Sequence, residues 1–161
     1  MSFRRDGLVP PGASAQARGM DQRVTLLTLG VTDLDVARRF YVDGLGWRPL
    51  LDAGEAVFLQ VGPGLVLSLW GRADLAREAG TSAGPVEPPP FSLAHNVATE
   101  DDVQRVVDDL RAAGGTVVSE PARASWGGVT AYVADPDGFR WEIAWNPGLV
   151  VGADGTVRMT G

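Results

Sequence analysis

At 161 residues the chain has the length of one domain with flanking tails. Its hydrophobic fraction of 45% and charged fraction of 21% are those of a globular protein, and no apolar run approaches the ~20 residues of a membrane helix. A net charge of −6 without a basic stripe disfavours nucleic acid, and the absence of cysteine excludes disulfides, thiolate metal sites and cysteine nucleophiles.

Residues 1 to 22 mix Gly, Pro, Ala, Ser and charges without apolar periodicity and read as a flexible leader. Arg4 and Arg5 are not followed by an apolar segment, so no secretory signal is indicated and a cytoplasmic protein is expected. From Val24 to Val31 the sequence alternates as a strand does, with Leu26, Thr28 and Gly30 on one face and Leu27, Leu29 and Val31 on the other. Asp33 then stands as an N-cap before a stripe of Leu34, Ala37, Phe40 and Tyr41, which predicts a helix ending near Gly44 or Gly46.

Three strands are expected next, at Trp47 to Leu51, Ala56 to Val61 and Leu65 to Trp70. Residues 72 to 90 read as a linker with a short helix at Ala73 to Ala79, ending in Pro88-Pro89-Pro90. The order then repeats: a strand at Ser92 to Val97, a helix at Glu100 to Ala113 stopped by Gly114-Gly115, and strands at Thr116 to Ser119, Val129 to Ala134 and Phe139 to Trp145. Asp135-Pro136-Asp137-Gly138 forms the last turn. The fold expected is α+β: two tandem βαβββ modules, residues 23–71 and 91–147 of one domain, forming a cupped mixed sheet with helices outside. Residues 148–161 form a tail whose Gly152-Ala153-Asp154-Gly155 turn suits a hairpin or a lid.

Leu29-Gly30-Val31-Thr32-Asp33-Leu34 opening the first module, and Asp135-Pro136-Asp137-Gly138-Phe139-Arg140-Trp141-Glu142 closing the second, resemble the vicinal-oxygen-chelate superfamily. That group holds glyoxalase I, extradiol dioxygenases, and the fosfomycin- and bleomycin-resistance proteins. Ser125-Trp126-Gly127-Gly128 and Trp145-Asn146-Pro147 are similar to a glyoxalase-like subgroup without assigned activity. The resemblance implies four metal-ligand places, which fall here on Leu26, Ser68, Ser92 and Glu142. Of these only Glu142 is a good zinc or iron ligand, and a catalytic metal normally needs about three, so no metal and no other cofactor is expected.

Strand parity puts Arg140 and Glu142 on the cup face, and Trp141 and Trp145 on the helix-covered face. Glu142 is the one catalytic candidate, as general acid or base. Thr28, Ser68, Ser92, Asn96 and Arg140 are candidate polar anchors for a ligand, and Trp126, before two glycines, is a candidate stacking residue at the mouth. The plain alternative for Arg140 and Glu142 is a pair with each other or with solvent. His95, three residues beyond Ser92, falls on the opposite face and reads as a partly buried, hydrogen-bonded histidine outside the cup. Trp47 and Trp70 are assigned to neither face.

Two functions follow as expectations: metal-free sequestration of a planar or amphiphilic compound, or a glyoxalase-like lyase, isomerase or dioxygenase with Glu142 as metal ligand or base. A purely structural module is a third. The partners expected are a small-molecule ligand and a second copy of the chain in a homodimer, with neither nucleic acid nor membrane.

Overall fold

A computed structural model describes residue 20 and residues 22–84 and 90–159. All but residues 20 and 22 of the leader, and residues 85–89 of the linker, fall outside the described residues. The first unit comprises β1 (Leu26–Val31), α1 (Leu34–Arg38, widening into π-helical turns over Arg39–Gly44), β2 (Pro49–Asp52), β3 (Ala56–Gly62) and β4 (Leu65–Gly71). After α2 (Arg72–Glu78) the second unit repeats the pattern with β5 (Ser92–Asn96), α3 (Glu100–Ala112), β6 (Thr116–Arg123), β7 (Val129–Ala134) and β8 (Arg140–Trp145). The tail forms β9 (Leu149–Val151) and β10 (Val157–Met159), an antiparallel hairpin.

The two sheets have the same topology, β1-β4-β3-β2 and β5-β8-β7-β6, with the first strand of each unit parallel to the last. This is the duplicated α+β arrangement the sequence predicts. Alternation decides the faces: Leu29, Val31, Val57, Leu67 and Leu69 in the first sheet, and Val129, Ala131, Val133, Trp141 and Ile143 in the second, are buried in one continuous core with the helices. Asp33 caps α1 as expected, its Oδ1 accepting from the Asp35 amide at 2.8 Å and the Val36 amide at 3.2 Å. Among the described residues no helix is long and apolar enough to cross a membrane.

The units are clasped by the motifs that mark them. The Tyr41 hydroxyl, on the π-helical end of α1, donates to Asp135 Oδ2 at 2.6 Å, and Trp141 Nε1 donates to the Tyr41 oxygen at 3.0 Å. Asp135 Oδ1 accepts from the amides of Asp137 and Phe139, and Asp137 Oδ1 accepts from the Thr32 amide at 2.7 Å. A carboxylate only 4% exposed thus has both oxygens engaged, as burial of a charge requires. Desolvation nevertheless pushes the Asp135 pKa up, partly offset by the Tyr41 and backbone donors, and burial beside Asp135 pushes the Tyr41 phenol well up. At Gly44 an added Cβ would lie 2.6 Å from Ala113 Cβ, so the two units approach here as closely as glycine permits.

Three features differ from expectation. Trp47 is not in β2: its amide donates to the Tyr41 carbonyl and its indole stands edge-on to Trp141, ring centres 5.8 Å apart. Core packing here outweighs strand propensity. β6 continues to Arg123 through Pro121, which an edge strand with register shifts tolerates. The linker helix α2 is more than a connector: an added Cβ on Gly30 would lie 3.2 Å from Leu75 Cδ2 and 3.3 Å from Arg72, which puts α2 on the face of the first sheet opposite α1.

Candidate functional site

The concave face of the second sheet is assembled by register. Ser92, Ala94 and Asn96 on β5 lie opposite Arg140, Glu142 and Ala144 on β8, and Thr130 and Tyr132 on β7 pair with Ala144 and Glu142. Thr130 Oγ1 donates to Glu142 Oε1 at 3.1 Å. The Tyr132 phenol is pushed up, first by burial and then by the charge of Glu142 and the hydrogen bond to it. Glu142 is half-buried and held by β7, and no ion pair joins it to Arg140 among the described residues.

A cavity of about 530 Å³ opens here; its lining includes Asn96, Trp126, Glu142 and Asn146, with Leu149 and Met159 of the tail hairpin on one side. Trp126 reaches it because the β6–β7 loop folds back. Gly127 has φ +94°, and an added Cβ on Gly128 would lie 1.8 Å from the Trp126 ring and 2.4 Å from the Trp145 carbonyl. The indole therefore lies over a position that only glycine can fill, and stays 48% exposed.

The first sheet's equivalent face differs. Thr28 pairs with Ser68, and Phe58 pairs with Ser68 from the other side; Ser68 is only 2% exposed. Leu26, 44% exposed, pairs with Val66. Thr28 and Ser68 therefore do not join Asn96, Trp126 and Glu142 within one chain, since the lining of that cavity begins at Ala94. Ser92 and Arg140 share the second face but lie at its other end, away from this cavity.

His95 lies with Leu93 and Ile143 on the face opposite Glu142, where parity puts it. It is not the hydrogen-bonded, partly buried residue expected. It remains exposed and has no hydrogen-bond partner among the described residues, while nearby packing, and then Arg105, lower its pKa. Thr130 and Tyr132 are not among the residues expected at the site, although the alternation Val129, Ala131, Val133 against Thr130, Tyr132 carries that signal. Leu149 and Met159 also line the cavity, and no periodicity ties them to the sheet.

A resident metal does not fit this donor set. Leucine has no donor, neutral serine hydroxyls are poor ligands, and no group of three or more His, Asp or Glu side chains is placed to hold an ion among the described residues.

Comparison with known proteins agrees with the fold. The family model Glyoxalase/Bleomycin resistance protein/Dioxygenase superfamily matches residues 23–143. A probable lactoylglutathione lyase of Vibrio cholerae is 33% identical over 150 residues, covering 84% of this chain and 99% of that protein. One from Vibrio parahaemolyticus is 30% identical, covering 83% of this chain and 97% of its own. Among solved structures, a glyoxalase-related enzyme from Fulvimarina pelagi is 40% identical with a TM-score of 0.80, covering 87% of this chain and 99% of that one. With its duplicated βαβββ sheets and these relatives, the chain belongs to the glyoxalase/bleomycin resistance protein/dioxygenase superfamily.

Proposed function

We propose that this protein binds a planar or amphiphilic small molecule on the concave face of the second sheet without a metal ion. The observation that carries the reading is the composition of that face. One held carboxylate, Glu142, is flanked by Thr130, Tyr132 and Asn96 and overlooked by the Trp126 indole, and the other places where relatives carry ligands hold Leu26, Ser68 and Ser92. A few polar anchors among apolar walls, with an aromatic at the rim, is the usual form of a small-molecule site. A net charge of −6 favours a cationic ligand.

In this reading the site is completed by a second copy. The second face lacks the anchors of the first within one chain, and the exposed Leu26 supplies apolar surface for a symmetric contact that brings Thr28 toward a partner's Glu142 face. The protein acts as one domain in the cytoplasm.

Fluorescence titration with bleomycin and with proflavine, a planar cation, tests the reading. Saturable quenching weakened about tenfold by Glu142→Gln supports it. Absence of binding to both, together with Glu142-dependent turnover of lactoylglutathione, overturns it. That outcome favours the second reading, a glyoxalase-like lyase or isomerase using the held Glu142 as general base, which the names of the Vibrio relatives support.

A further inference from the structure

A second cleft lies along the seam between the two sheets, on their helix-covered side. Leu27, Val61 and Leu65 of the first sheet and Leu93 of the second line it, over the buried side chains of Leu59, Leu67 and Trp141. Trp47, His95 and the exposed Arg48 complete the lining. The volume is about 500 Å³, within the range of small-ligand sites. We propose that this seam is a binding site for an aromatic carboxylate, separate from the Glu142 cup.

The ring system fits against Leu27, Leu65 and Leu93 beside the Trp47 indole, which Trp141 holds in place by an edge-on contact with ring centres 5.8 Å apart. The carboxylate fits Arg48. Arg48 has no ion-pair or hydrogen-bond partner among the described residues and is the one charged residue on this lining, in a chain whose net charge is otherwise negative. A planar guanidinium matches a carboxylate with two parallel donors. Orientation follows from the neighbouring chamber across Trp47, His95 and Trp141, of about 430 Å³, which carries Asp109 and repels an anion. The carboxylate therefore faces Arg48 and the rings face the His95 partition. His95, whose pKa is lowered by the packing around it and then by Arg105, borders the ring on this side. The inference does not depend on the cup reading, since its residues lie on the opposite face of both sheets.

The test uses 1-naphthoate as probe and the one histidine of the chain as reporter. In the full chain, the His95 ring-proton NMR signals should shift saturably on titration. Arg48→Glu should weaken binding at least about fivefold, neutral 1-naphthamide should bind weaker by a similar factor, and Glu142→Gln should leave the titration unchanged. A His95 signal that does not move, naphthamide binding as tightly as naphthoate, or a titration lost in Glu142→Gln would each overturn the assignment. The naphthamide arm needs no variant and stands even if Arg48→Glu fails to fold.

Discussion

The concave faces of the two sheets have one topology and opposite characters. In the first, α2 lies over Gly30 and Ser68 is buried against Thr28 and Phe58. In the second, no helix is placed over that face among the described residues; Glu142, Thr130, Tyr132 and Asn96 line it, with Trp126 above. Duplication gives two equivalent scaffolds, and what separates them is which face the connecting chain covers and which side chains alternate onto it. One unit's face is covered, and the other's carries the exposed polar side chains. Function thus resides in the residues grafted on the fold.

The comparison depends on the clasp that fixes one unit against the other, and breaking it has the largest expected effect. Tyr41→Phe removes the donor to Asp135 Oδ2 and the acceptor for Trp141 Nε1. Urea unfolding should show a loss of about 2–3 kcal/mol, because buried polar groups are left without partners. Next, Gly128→Ala should cost about 2 kcal/mol, since the added methyl meets both the Trp126 ring and the Trp145 carbonyl. The indole should also move, seen as a change in acrylamide quenching with the first sheet untouched.

Smaller in energy but sharper in meaning is a matched pair. Glu142→Gln should weaken ligand binding about tenfold, roughly 1.4 kcal/mol, whereas Ser68→Ala should leave it nearly unchanged because Ser68 is buried. Equal effects would erase the distinction between the faces. The smallest effect is in pH. Asp135 has a folded pKa raised above 3.8, so the native state holds the proton more tightly than the unfolded chain. Its contribution is fully present below that unfolded value and is lost as pH rises through the folded one. The stability of the native chain relative to Asp135→Asn should therefore fall as pH increases from about 4, measured by thermal unfolding in a pH series.

Much of this was legible in the sequence for physical reasons. Period-two alternation in Val24 to Val31 and Phe139 to Trp145 fixes which side chains face the helices, so Trp141 and Ile143 are core and Glu142 is not. The Asp33 cap and the Asp135 to Gly138 turn are local chemistry and needed no tertiary information. What was not legible depends on distant contacts. Asp135 reads as a turn residue, yet its partner Tyr41 lies 94 positions away. Trp47 reads as strand until Tyr41 and Trp141 hold it in the seam. Likewise the position of α2 on the concave side, and the approach of Leu149 and Met159 to Glu142, arise from packing that no local pattern encodes.

A site built around one carboxylate and no metal makes a direct prediction about metal content. The purified protein is incubated with zinc, nickel, manganese or anaerobic iron(II), desalted and subjected to elemental analysis, beside Glu142→Ala. Metal well below one ion per chain in every case is the predicted result, with no difference between the two proteins. Near-stoichiometric metal that disappears in Glu142→Ala would contradict the account, and would place Glu142 among ligands that two copies of the chain supply together.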